Sequence, residues 1–158
     1  MRKMVVVTLV LAAFTARAAW QAERTDPRSV LEAYVLAWNQ HDFAAIDRLM
    51  ASDGVHDDIG NAVHAKGPDE VKIFMKSIIT QEPDFKWHID CVIVSGSMVA
   101  AEWTWTATFT GDGPYGPVKD LPISGRGASI AEAENGRIKH LTDYYDTLSF
   151  FPKPAAKK

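Results

Sequence analysis

Cysteine is nearly absent. The 158 residues hold one, Cys91, so no intramolecular disulfide can form and the fold must rest on its core alone. An excess of one charge is also missing: the formal net charge is −3 and no basic run occurs, which argues against nucleic acid as the main partner. No apolar run reaches the ~20 residues needed to cross a bilayer. No internal repeat and no second block of composition is found, so the length bounds the chain to one domain.

What is present begins with a basic start, Met1-Arg2-Lys3-Met4, an apolar run from Val5 to Phe14, and then Ala16-Arg17-Ala18. Together these read as a secretory signal, residues 1–18, cleaved after Ala18. No cysteine stands at that site to take a lipid anchor. The expectation is a periplasmic or secreted protein with no membrane association after cleavage, a single domain over 19–151, and a loose tail over 152–158.

Three helices are expected first. Asp26-Pro27 supplies an N-cap and a proline at the first helical position, and Val30, Leu31, Tyr34, Val35 and Trp38 follow at helical spacing. Asp42 caps a shorter helix with Phe43, Ile46, Leu49 and Met50 inward, ended by Ala51-Ser52-Asp53-Gly54. Gly67-Pro68-Asp69 opens a third, with Val71, Phe74, Ile78 and Ile79 inward, and Glu82-Pro83-Asp84 stops it. Between the second and third lies a short polar strand, Val55 to Ile59.

Strands close the chain. Phe85, Trp87, Ile89, Cys91 and Ile93 alternate with polar residues and are expected to face the core, Cys91 included. Ala101, Trp103, Trp105 and Ala107 alternate with Glu102, Thr104 and Thr106, which with Lys86 and His88 form an outer face. Gly111 to Pro117 reads as a glycine- and proline-rich loop over a pocket mouth. Asn135-Gly136 then marks a type I′ hairpin, because that turn needs positive φ at both central residues. On its second arm Lys139, Leu141, Asp143 and Tyr145 are expected on one face, and Ile138, His140, Thr142 and Tyr144 on the other. Helices first and antiparallel strands after them give an α+β layout. Gly125 and Gly127, with the small Ser129 and Ala131, lie opposite tryptophans, as a strongly curved sheet around a hollow requires.

Order and motifs together resemble the SnoaL-like, nuclear transport factor 2-like superfamily. The resemblance rests on Ala37-Trp38-Asn39, Asp42-Phe43-Ala44-Ala45-Ile46, Gly67-Pro68-Asp69-Glu70-Val71, and the closing hairpin from Asn135-Gly136-Arg137-Ile138 to Thr142-Asp143-Tyr144-Tyr145-Asp146. It implies a cone-shaped, mostly antiparallel sheet wrapped around three helices (a cystatin-like α+β barrel) with an apolar pocket. That fold hosts ketosteroid isomerase, polyketide cyclases, limonene epoxide hydrolase and non-catalytic binding domains, so it does not decide function. The resemblance places Asp143 at the catalytic aspartate of the cyclases and the epoxide hydrolase, and His56 and Asp58 on the strand that holds the hydrolase's water. Trp103 and Trp105 replace the hydrolase's arginine and second aspartate, so epoxide hydrolysis is not expected. Ser129 stands where the cyclases keep a histidine. The resemblance also implies a homodimer across the outer sheet face.

A mid-strand carboxylate among aromatics is costly unless paired or used, which makes Asp143 the first candidate acid or base. His56 and Asp58 share a strand face and could relay its proton. Trp87, Trp103, Trp105, Tyr34 and Trp38 could floor an apolar binding site, with Tyr145 and Ser129 beside them, or could simply pack the core. Tyr34, Tyr145 or His56 would have to supply the donor that stabilises an enolate oxygen. His56, Asp58 and His64 show no recognised ligand spacing, so neither a metal nor a cofactor is expected. Two readings stay open: an exported, cofactor-independent isomerase or cyclase acting on a small hydrophobic cyclic or polyketide-like molecule, or a binding domain with the same pocket and no chemistry.

Overall fold

The computed structural model describes residues 26–151; the expected signal and the tail after residue 151 lie outside them. Helix α1 spans Pro27–Gln40. The Asp26 carboxylate accepts from the amides of Arg28 and Ser29, satisfying donors that have no partner inside the helix. It ends where His41 enters the left-handed region at φ 57°. Asp42 caps α2, Phe43–Leu49, through the Ala45 amide at 3.0 Å. The expected helical Met50 to Gly54 is strand instead: β1 runs Met50–Asp58, nine residues, and Met50 is fully buried within it. Strand β2, Val63–Lys66, and helix α3, Gly67–Gln81, follow.

The rest is sheet: β3 Lys86–Ser95, β4 Met98–Gly113, β5 Gly116–Glu134 and β6 Arg137–Tyr144, closed by a 3-10 turn at Thr147–Phe150. The strand order is β2-β1-β6-β5-β4-β3, antiparallel except between β1 and β6. Asn135 and Gly136 have φ 51° and 74°, the turn expected. The segment from Gly111 to Pro117 is a tight hairpin tip joining β4 to β5 rather than a free loop, and its Asp112 and Pro114 do line the cavity mouth.

Irregularities in the ladder overturn two face assignments. A register shift between Ile89 and Cys91 reverses the alternation of β3, leaving Cys91 exposed and not in the core. A second shift makes Lys139 an extra residue in β6, so Ile138 and Leu141 are both fully buried although they stand three positions apart.

Sheet curvature comes from pairs of unequal size. Trp103 pairs with Gly127 and Trp105 with Gly125, and each indole lies over the bare backbone of its partner. A Cβ on Gly127 would collide with the Trp103 ring and stand 2.6 Å from the Tyr144 carbonyl oxygen. Asn39, at the end of α1, fastens the helix layer to the sheet: its side chain exchanges two hydrogen bonds with the Trp87 backbone, both 2.7 Å. The helices thus cover the concave face and leave a cavity between themselves and β3 to β6.

Candidate active site

The cavity measures about 230 Å³ and its wall is mainly aromatic. Trp38, Trp87, Trp103, Trp105 and Tyr145 line it, as do Asp58 and Asp143. Tyr34, His56 and Ser129 do not. They are fully buried behind the wall, which makes them supports of the site and not surfaces that a ligand touches.

Strand pairing brings the polar groups together. Asp58 and Asp143 are register partners across the β1–β6 pair, and Ser129 is the partner of Asp143 on β5. The His56 Nε2 lies 2.8 Å from Asp143 Oδ2, and its Nδ1 lies 2.9 Å from the Tyr34 hydroxyl. Ser129 donates to Asp143 Oδ1 and accepts from the Trp103 indole N–H at 2.7 Å.

The protons in this chain can be assigned. Burial raises the Tyr34 pKa well above the usual phenol range, so its hydroxyl keeps its proton. Among the described residues its acceptor is His56 Nδ1. With Tyr34 donating to Nδ1, His56 donates from Nε2 to Asp143. With Ser129 as the second donor, Asp143 is a doubly supported carboxylate in an aromatic wall.

Asp58 is held differently. The Tyr145 hydroxyl lies 2.8 and 2.7 Å from its two oxygens, and the Asn61 amide donates to Oδ1 at 2.7 Å. Burial raises its pKa against the pull of these donors, and the charge of Asp143 adds to the rise. Tyr145 is pushed far above the phenol range by burial and by Asp58, so it too stays a neutral donor.

His56, Asp58 and Asp143 each offer a ligand atom within 4.8 Å of the others, so the trio could face one ion. Every one of their side-chain nitrogens and oxygens already has a hydrogen-bond partner, so the cluster is satisfied as a proton-sharing network. His64 stands outside this cluster, exposed and 2.6 Å from Asp57.

The sequence reading missed several polar wall residues, Asn61, Gln81, Glu82 and Thr147. Glu82, read only as part of a helix stop, is 9% exposed and lines the cavity. Burial, with a smaller contribution from the charge of Asp84, pushes its carboxyl up to about 7. Phe150 and Phe151 also went unnamed. They close the cavity from the terminal turn, Phe150 edge-on to Trp105 at 4.7 Å between ring centres. Their signal was an aromatic pair just after the closing hairpin.

With this geometry in place, residues 28–152 match the model of the family described as SnoaL-like polyketide cyclase. The chain belongs to that family. Solved structures agree on the fold. IdmH from Streptomyces antibioticus, proposed to be a polyketide cyclase, is 17% identical with a TM-score of 0.70, the match covering 79% of this chain and 95% of that one. A Catenulispora acidiphila protein of ketosteroid isomerase-like fold, solved in complex with trimethylamine, is 19% identical at a TM-score of 0.69, covering 82% and 97%. A Shewanella denitrificans protein proposed to be a SnoaL-like polyketide cyclase is 18% identical at 0.69, covering 78% and 93%. No curated protein matches the chain significantly. For this SnoaL-like chain the identities establish the cone fold, and the chemistry must be argued from the side chains.

Proposed function

We propose that the protein catalyses proton transfer at carbon next to a carbonyl, an isomerisation or an aldol-type ring closure, on a small, largely apolar molecule held in the cone. One observation carries this reading: Asp143 reaches an aromatic cavity wall while His56 and Ser129, both buried behind it, donate to its two oxygens. A carboxylate so held is rigidly aimed, and a general base works only from a fixed position near the proton it takes.

In this mechanism Asp143 removes the α-proton and His56, with Tyr34 behind it, holds the carboxyl in place as its charge changes. Tyr145 is the wall hydroxyl best suited to meet the enolate oxygen, since it remains protonated and reaches the cavity. To do so it must exchange its bond to Asp58 for one to the substrate. A second reading, a binding domain without chemistry, draws on that same bond: Tyr145 and Asn61 are already satisfied by each other and by Asp58. A screen of cyclic ketones, enones and polyketide lactones separates the two. Turnover by the native protein that is lost in Asp143→Asn supports catalysis, and binding without turnover supports the second reading.

A further inference from the structure

We propose that the ligand of this cavity carries a cationic nitrogen, an alkylated ammonium or a protonated amine, received by Glu82 and the surrounding indole faces. This rests on the reading of the cavity as the ligand site and names the chemistry of what enters it.

Among the described residues the wall contains four acidic side chains, Asp58, Glu82, Asp112 and Asp143, and neither lysine, arginine nor histidine. An anionic ligand would therefore meet like charge in a poorly hydrated space, where charges interact more strongly than in water. Asp58 and Asp143 are occupied by donors of the protein itself. Glu82 is not: it is nine-tenths buried, faces the cavity, and has no hydrogen-bond donor among the described residues. Its oxygens are reached from the cavity, so a donor supplied from outside can complete them. Four tryptophans share the same wall, and the indole face is the best aromatic surface for a cation. A carboxylate with several π faces in one small cavity can hold an alkylammonium: the ring quadrupoles attract its charge and its methyl groups fill apolar space. A neutral molecule of the same shape would gain the packing and not the charge.

Phenyltrimethylammonium and tert-butylbenzene have the same shape and differ in charge, so quenching of tryptophan fluorescence by each is the direct test. The cation is expected to bind about tenfold more tightly than its carbon isostere. In Glu82→Gln that preference should shrink several-fold, the indoles keeping the rest, while tert-butylbenzene binds within a factor of two of native. Equal or tighter binding of tert-butylbenzene to the native protein would overturn the inference and leave the proton-transfer reading standing. So would an unchanged preference in a folded Glu82→Gln. Binding of neither compound at millimolar concentration would overturn the inference together with the reading of the cavity as a ligand site.

Discussion

Asp58 and Asp143 stand side by side as register partners on the parallel strands β1 and β6, and the amide of the next residue, Ile59, donates to the Asp143 carbonyl at 3.1 Å. Two carboxyls placed so closely in an aromatic wall cannot both ionise cheaply, and the protein separates them by their donors. Asp143 has an imidazole and a serine hydroxyl; Asp58 has a phenol and a backbone amide, and its pKa is raised. Neighbouring groups with unequal environments are how a site assigns an acid and a base.

Tyr34→Phe should separate positioning from contact. The change leaves His56 Nδ1 buried without its donor, at a stability cost of roughly 1–3 kcal/mol. Since Tyr34 does not line the cavity, ligand affinity should hold while turnover falls and the pH–rate profile moves. A lowered melting temperature with an unmoved pH profile would reduce Tyr34 to packing.

Glu82 makes a pH prediction with a definite sign. Its folded pKa, about 7, lies above the ordinary glutamate value of 4.5, so the folded state binds the proton more tightly than the unfolded chain. Its contribution to stability is complete below 4.5 and is lost as the pH rises to about 7. The loss is on the order of 2–3 kcal/mol at most. Glu82→Gln should therefore be more stable than the native protein at pH 8, with the difference vanishing near pH 4, as urea unfolding at both pH values would reveal. Equal stabilities at pH 8 would mean that the carboxyl is not desolvated.

What the sequence could show was whatever depends on local spacing. Helix caps at Asp26 and Asp42, the Asn135-Gly136 turn and the Trp103/Trp105 alternation are short-range signals, and each was legible. Cys91 and Ile138 were misplaced because a single extra residue in a ladder inverts every later side chain, and nothing in the local pattern marks the shift. The same limit applied to the site. That Asp143, Asp58 and His56 belong together was readable from the family resemblance. That Tyr34 and Ser129 serve from behind the wall depends on contacts 22 and 14 residues apart in sequence, which only the folded sheet brings about. Glu82 was hidden because a glutamate at a helix end is ordinarily solvated, and here the cone closes over it.

Gly127→Ala should act on the site at a distance. The added methyl would displace the Trp103 ring, whose N–H holds Ser129, which in turn holds Asp143. Overpacking of this kind costs ~1–3 kcal/mol. Turnover should fall with the melting temperature. Full activity in a variant of native stability would show that the chain from Trp103 to Asp143 is not needed.

Export and dimerisation rest on the sequence. Mass spectrometry of the native protein should find a chain beginning at Ala19, and a mature chain starting at Met1 would refute export. The outer sheet face, with Glu102, Thr104 and Thr106 exposed, is expected to pair with a second copy. Sedimentation at micromolar concentration should give twice the monomer mass, and a monomer would refute the pairing.

The central claim is that Asp143 removes a proton from carbon. It can be tested before the product is known, by incubating cyclic ketones, with and without a tertiary amine, in D2O and following loss of the α-proton signals by NMR. The native protein should speed exchange above the buffer rate, and Asp143→Asn should lose ~10²–10⁴-fold of that acceleration while still binding ligand. Exchange that is equally fast in the native protein and in a folded Asp143→Asn would contradict the account.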